Sequence, residues 1–129
     1  MKSPTPMLVT LLALLCGSLS PLSDVGNARA AELQRFAITI KNRKVEPAQR
    51  LIRVTRGDAL ELEFSTDEAA ELHLHGYDKL IEVAPAAPAV LRVDATIAGR
   101  FSIEAHGFAS DKSGQRRHIV LLYVEVHPR

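Results

Sequence analysis

The sequence predicts an all-β domain, a sandwich or barrel of about seven or eight short strands. Three observations support this prediction. Apolar and polar residues alternate with the two-residue period of a half-buried strand in run after run. Turn residues such as Gly, Pro and Asp separate these runs about every eight to twelve residues. Residues 31–129 contain no long run with the periodicity of a helix.

The first three runs each present one apolar face. They cover residues 34–41, 50–55 and 59–65. Their predicted inward residues are Phe36, Ile38 and Ile40, then Ile52 and Val54, then Leu60, Leu62 and Phe64. Residues 42–49 carry Pro47 and several charges and are predicted to form a loop. Three strands in the first half of the domain follow from this pattern.

The second half continues in the same way. The runs are 71–78, 79–83, 90–95, 100–106 and 118–127, with a proline-containing connection at 84–88 and a polar loop at 107–117. The predicted inward residues are Leu72 and Leu74; Leu91, Val93 and Ala95; Phe101, Ile103 and Ala105; and Val120, Leu122, Val124 and Val126. The last run is apolar on both faces around 119–123, which is typical of a strand in the interior of a sheet.

The run ELHLHGYD at 71–78 has the most informative polar face. Leu72 and Leu74 point one way, so Glu71, His73 and His75 point the other. Alternate residues of a strand lie about 6–7 Å apart. Imidazoles on such neighbours can reach one metal ion, because a metal–nitrogen bond is about 2 Å long.

The amino-terminal residues predict export from the cytoplasm. An apolar run at 7–16 is followed by a Pro/Ser/Gly segment and by the small-x-small sequence 28–30. This pattern predicts a secretory signal peptide at 1–30 with cleavage after Ala30, and a periplasmic or secreted protein. A retained anchor is the alternative, although the run is too short for a membrane-spanning helix. Residues 31–129 are then expected to form one domain without a membrane span.

Charge and cysteine content exclude several classes of function. Without Lys2, Asp24 and Arg29, the acidic and basic residues of 31–129 are equal in number. A formally neutral domain gives no support to nucleic-acid binding. The single cysteine, Cys16, lies in the signal peptide, so residues 31–129 have no disulfide and no thiolate ligand. We also find no nucleophile signature, phosphate-binding glycine loop or zinc-protease histidine pair. The sequence therefore predicts a protein that is not an enzyme.

Several of these runs resemble the cupredoxin-like domains, the Greek-key sandwiches of plastocyanin and azurin. Residues 54–62 resemble the strand–turn–strand near the start of such domains, and 71–78 resemble the strand that carries their first copper-ligand histidine. The proline-containing 83–90, the turn 99–101 and the final strand follow in the family's order. The likeness therefore covers roughly 34–126, nearly the whole of residues 31–129. It implies a Greek-key, cupredoxin-like β-sandwich.

The chain departs from the blue-copper members of that family at their key ligand. In those members the strand after the Gly-x-aromatic turn ends in a copper-ligand cysteine, and a histidine and a methionine follow. Here Ala105 stands about where the cysteine would be, with His106 beside it, and His118 lies near the place of the methionine. A blue-copper centre depends on the thiolate. The resemblance therefore implies the fold without the usual electron transfer.

The resemblance also implies where a metal would bind. In the family's architecture the first-ligand strand and the final hairpin meet at one end of the sandwich. That would gather His75, His106 and His118, with His73 or Glu104 as a fourth ligand. His75 matches the first ligand residue for residue, whereas His106 and His118 match by neighbourhood only. Three imidazoles suit Cu(II) or Zn²⁺, and the Irving–Williams order favours copper.

Two functions follow as hypotheses from different classes. The first is a secreted or periplasmic cupredoxin-like module that binds a metal ion, copper before zinc, through these histidines. The second is a metal-free domain with a degenerate site, whose histidine-bearing end docks another periplasmic protein. In the second case the histidines are ordinary residues on the solvent side and at the ends of their strands.

Overall fold

The structure, a computed structural model, describes residues 30–109 and 118–129. The predicted signal peptide lies outside these residues except for Ala30, and so does most of the predicted loop 107–117. Within the described ranges, no helix is long and apolar enough to cross a membrane.

Nine strands form within the described residues. They are β1 (Leu33–Lys41), β2 (Lys44–Val45), β3 (Leu51–Thr55), β4 (Ala59–Thr66), β5 (Ala70–Leu74), β6 (Lys79–Val83), β7 (Ala89–Asp94), β8 (Gly99–His106) and β9 (Ile119–His127). One short 3₁₀ helix, Pro47–Gln49, lies between β2 and β3. The alternation in the sequence therefore predicted every strand except the two-residue β2.

The strands form two sheets that pack face to face as a β-sandwich. The four-stranded sheet has the order β2-β1-β4-β7, and the five-stranded sheet has the order β3-β9-β8-β5-β6. Two pairs are parallel, β1 with β4 and β3 with β9, and all other pairs are antiparallel. The predicted all-β sandwich is confirmed, and its sheets are mixed because of these two parallel pairs. The interior position predicted for the last strand is also confirmed, since β9 lies between β3 and β8.

The core between the sheets contains most of the predicted inward residues. Phe64, Leu62, Leu72, Leu74, Ile103 and Ala105 are all fully buried. Burying one such aliphatic or aromatic side chain contributes about 1.5–3 kcal/mol. Because both sheets contribute to one core, their outer faces are fixed relative to each other.

Two predictions fail at the connections and in β9. Residues 42–49 were predicted as a loop, but β2 and the 3₁₀ helix lie there. Val120 was predicted to face inward, yet it is exposed. The register between β8 and β9 shifts at Ile103/Glu104, so that Ile103 pairs with Leu122 and Glu104 pairs with Val120. This β-bulge inserts one residue, which reverses the inward and outward faces at the start of β9.

A glycine turn after β5 sets the geometry beside the histidine-bearing strand. Gly76 has a φ of +83°, and its Cα lies against the ring of Phe101. Tyr77 packs edge-on against the same ring at 4.9 Å, and its hydroxyl donates a hydrogen bond to Ile97 O at 2.9 Å. Tyr77 therefore packs against the sandwich beside the histidine-bearing strand.

We expect Gly76→Ala to destabilise the protein more than Gly107→Ala. Both glycines have positive φ, +83° and +58°, and alanine in the left-handed region costs about 1–2 kcal/mol. A Cβ at Gly76 would overlap the Phe101 ring, whereas a Cβ at Gly107 meets no described heavy atom within 4 Å. Overpacking of this kind costs about 1–3 kcal/mol more. Urea unfolding of both variants measures the difference, and equal losses of stability would contradict it.

Candidate metal centre

The antiparallel pairing of β5 with β8 places three of the predicted site residues on the outer side of the five-stranded sheet. His73 pairs with Glu104, and Glu71 pairs with His106. Their strand neighbours, such as Leu72 and Ala105, are buried in the core. Because strand side chains alternate, His73, Glu104 and His106 must project away from the core.

His75 joins this group although β5 ends at Leu74. Its backbone N–H donates a hydrogen bond to Ser102 O at 3.0 Å, which continues the pairing with β8 for one more residue. The ring centroids of His73 and His75 are 4.0 Å apart. The turn at 75–78 then leads the chain into β6.

His118 reaches the same side because of the β-bulge. Strict alternation backward from the inward-facing Leu122 would point residues 120 and 118 into the core. The inserted residue reverses this, and both Leu121 and Leu122 are buried while Val120 and His118 are exposed. The His118 ring lies 4.1 Å from the His106 ring, edge to face.

All four predicted histidines therefore lie together on the outer side of the five-stranded sheet. We call His73, His75, His106 and His118 the histidine face. The His106 ring is 5.9 Å from that of His73 and 6.3 Å from that of His75. The resemblance implied a site at one end of the sandwich instead. The fifth histidine, His127, pairs with Thr55 at the far end of β9 and contacts Glu125.

The histidine face contains two overlapping groups of donor atoms. One group is His73, His75 and His106; the other is Glu104, His106 and His118. Within each group one donor atom per residue lies within 4.8 Å of the others. Two nitrogens bound to one ion at about 2.0–2.1 Å can be at most about 4 Å apart. Side-chain adjustments of about an ångström would therefore bring either group into coordination distance.

Two of the imidazole nitrogens are shielded from solvent but have no hydrogen-bond partner among the described residues. These atoms are His75 Nε2 and His106 Nε2. His75 Nε2 lies 3.2 Å from Glu104 Oε2, an ion pair when the imidazole is protonated. A shielded polar atom without a partner costs about 1–3 kcal/mol. A metal ion that accepts nitrogen ligands would remove this cost, so the donor set fits such an ion.

Glu104 is the acidic residue at the centre of the histidine face. Burial would raise the pKa of its carboxyl group, but the hydrogen bond that Ser102 donates at 3.1 Å and the charge of His75 hold the pKa below its usual value. Glu104 is therefore an ionised carboxylate at neutral pH. Its Oε2 also lies 3.6 Å from His118 Nδ1.

His106 is held in its neutral form. Burial disfavours the imidazolium and lowers the pKa of His106, and the charge of His118 lowers it further. The Glu104 carboxylate acts in the opposite direction without cancelling these effects. A neutral imidazole is the form that binds metals.

Asp78 is a contact of the histidine face that the sequence pattern did not reveal. The sequence places a Gly-containing turn directly behind His73 and His75, and the structure has a turn at 75–78. This turn brings Asp78 Oδ1 within 3.3 Å of His73 Nε2. A carboxylate on a ligand imidazole orients the ring. The Gly at 76, followed by a Tyr-Asp pair, was the available sign of this turn.

Comparisons with known proteins bear on the fold. No protein-family model matches the chain, and the search of curated proteins found no match. Among solved structures, a copper binding protein in its apo form is 12% identical, with a TM-score of 0.55 over 77% of this chain and 98% of that chain. A heme-copper terminal oxidase chain is 14% identical, with a TM-score of 0.51 over 78% and 76% of the two chains.

A multicopper oxidase also matches. It is 21% identical, with a TM-score of 0.54 over 74% of this chain but only 42% of that chain. The fold is cupredoxin-like. This confirms the fold that the resemblance implied. Because all three identities are below 25%, the likeness establishes the fold alone.

We expect the metal-free protein to lose stability as the pH falls from about 7 to about 5. The pKa of His106 is lower in the folded than in the unfolded chain, so the unfolded chain binds more protons in this window and acid favours it. The lowered pKa of Glu104 adds a loss of the same sign at still lower pH. Urea unfolding at several pH values measures the slope. His106→Asn should flatten it between about pH 7 and 5, and an unchanged slope would contradict the assignment.

Proposed function

We propose that this protein is an exported, non-enzymatic module that binds a copper ion at the histidine face. His75, His106 and His73 would hold the ion, and His118 borders them. The observation that carries this proposal is the pair of shielded nitrogens, His75 Nε2 and His106 Nε2, which have no hydrogen-bond partner within the described ranges.

The chemistry of the donors favours copper. The group offers imidazole nitrogen and carboxylate oxygen, and residues 31–129 contain neither cysteine nor methionine. Such a set suits Cu(II) or Zn²⁺, and the Irving–Williams order gives copper the higher affinity. Absence of sulfur disfavours Cu(I), so the proposed form of the ion is Cu(II). The apo copper binding protein, which has the same fold, supports this choice.

A binding role is favoured over catalysis. The multicopper oxidase that matches is a larger chain, of which this protein spans 42%. The sequence supplies no nucleophile or substrate-binding motif. The proposed role is therefore to bind or carry copper, with another periplasmic protein as the donor or acceptor of the ion.

We expect Cu(II) to raise the melting temperature of the wild-type protein. A ligand that binds only the folded state adds about 2.7 kcal/mol at a hundredfold excess over its Kd. His75→Ala should lose most of this increase in melting temperature, since it removes one of the proposed copper ligands. His127→Ala is the matched control and should keep it, because His127 lies at the far end of β9.

Metal analysis of the same samples separates the remaining outcomes. One bound copper per chain in wild type and in the control supports the proposal. Stabilisation by Zn²⁺ but not by Cu(II) would replace copper with zinc. If neither ion binds, the metal-free interaction domain is the better account.

Export makes a separate prediction. We expect the protein recovered outside the cytoplasm to begin at residue 31, because the small-x-small sequence 28–30 follows the apolar run. Mass spectrometry of the intact protein measures this. A recovered chain that still begins at residue 1 would contradict cleavage.

A further inference from the structure

The two donor groups of the histidine face differ in exposure. The inner group is His73, His75 and His106, and the outer group is Glu104, His106 and His118. The His118 side chain is 58% exposed, that of His75 is 42% exposed and that of His73 is 22% exposed. An ion that arrives from solvent therefore meets His118, the most exposed of these imidazoles, first.

The two groups share one residue, and one carboxylate oxygen lies close to both. His106 belongs to both. The same oxygen, Glu104 Oε2, lies 3.2 Å from His75 Nε2 in the inner group and 3.6 Å from His118 Nδ1 in the outer group. An ion can therefore pass between the groups while His106 and Glu104 remain within reach.

Because the two groups share His106, the histidine face favours one ion at a time. Each divalent ion brings two positive charges, and Glu104 is the carboxylate that lies between the groups. The next carboxylates are Asp78, in contact with His73, and Glu71, paired with His106 across the strands. Two ions a few ångströms apart, competing for one imidazole, would repel each other strongly in this partly buried setting.

We propose that a single copper ion uses these groups as two successive positions, captured at the outer group and held at the inner group. This inference rests on the proposed copper binding. In the transfer the ion exchanges Glu104 and His118 for His73 and His75 and keeps His106, so no bond is made or broken except metal–ligand bonds. The ionised Glu104 attracts the cation, and the inner group retains it because its shielded nitrogens gain a partner.

Rates and affinities of two variants test the two positions separately. The rate of capture is measured by rapid mixing of the exported protein, residues 31–129, with Cu(II). The rate of release is measured by mixing the copper-loaded protein with excess chelator. His118→Ala should slow capture about tenfold and slow release as well, so that the Kd changes by a smaller factor. His75→Ala should raise the Kd about 10–100-fold through faster release, with a smaller effect on capture.

Two further variants keep the test decisive. Glu104→Gln preserves the shape of the side chain and removes its charge, so it should slow capture about tenfold in a folded protein. His127→Ala should leave capture, release and Kd unchanged. The electron paramagnetic resonance spectrum of bound Cu(II) should change in His75→Ala far more than in His118→Ala, because His75 is a ligand of the held ion.

The results that would overturn this inference differ from those that would overturn copper binding. If wild type binds no copper, the proposed function fails. If wild type binds copper but His118→Ala weakens binding as much as His75→Ala and changes the spectrum equally, there is one position. Capture by His118→Ala and Glu104→Gln at the wild-type rate would also contradict two positions, as would two coupled copper ions per chain.

Discussion

The pairing of β5 with β8 is the constraint on which the histidine face depends. It sets His73 opposite Glu104 and Glu71 opposite His106, and the buried residues between them fix which side of the sheet these groups occupy. A slip of one residue would turn each of these side chains into the core. Because the core side of the same strands is fully apolar, such a slip is strongly disfavoured. The packing of the sandwich therefore holds the donor groups in place.

The histidine face carries a local cost that ordinary surface residues avoid. His75 Nε2 and His106 Nε2 are screened from water without a hydrogen-bond partner among the described residues, which costs about 1–3 kcal/mol for each atom. Burial keeps His106 neutral and neighbouring donors keep Glu104 ionised. These are the protonation states that the proposed copper ion requires, and the bound ion would remove the cost that the metal-free state carries.

The sequence predicted most of the fold because alternation is a local property. It located eight of the nine strands, missing only the two-residue β2, and it placed His73 and His75 on one outward face. It could not locate the β-bulge, because a bulge depends on how β9 pairs with β8. As a result Val120 was assigned to the wrong side, and the contact of Asp78 with His73 was not foreseen. The pairing of β8 with β5 and β9 also places the histidines on the outer side of the sheet and not at the end of the sandwich.

The most direct test of this account is anomalous diffraction from crystals grown with Cu(II), because it locates the ion without reference to stability or rates. We expect one copper peak on the outer side of the five-stranded sheet, about 2.0–2.1 Å from imidazole nitrogens of His75 and His106, with His73 completing the group. A peak at the end of the sandwich or at His127, or no ordered copper in crystals of the folded protein, would contradict the account.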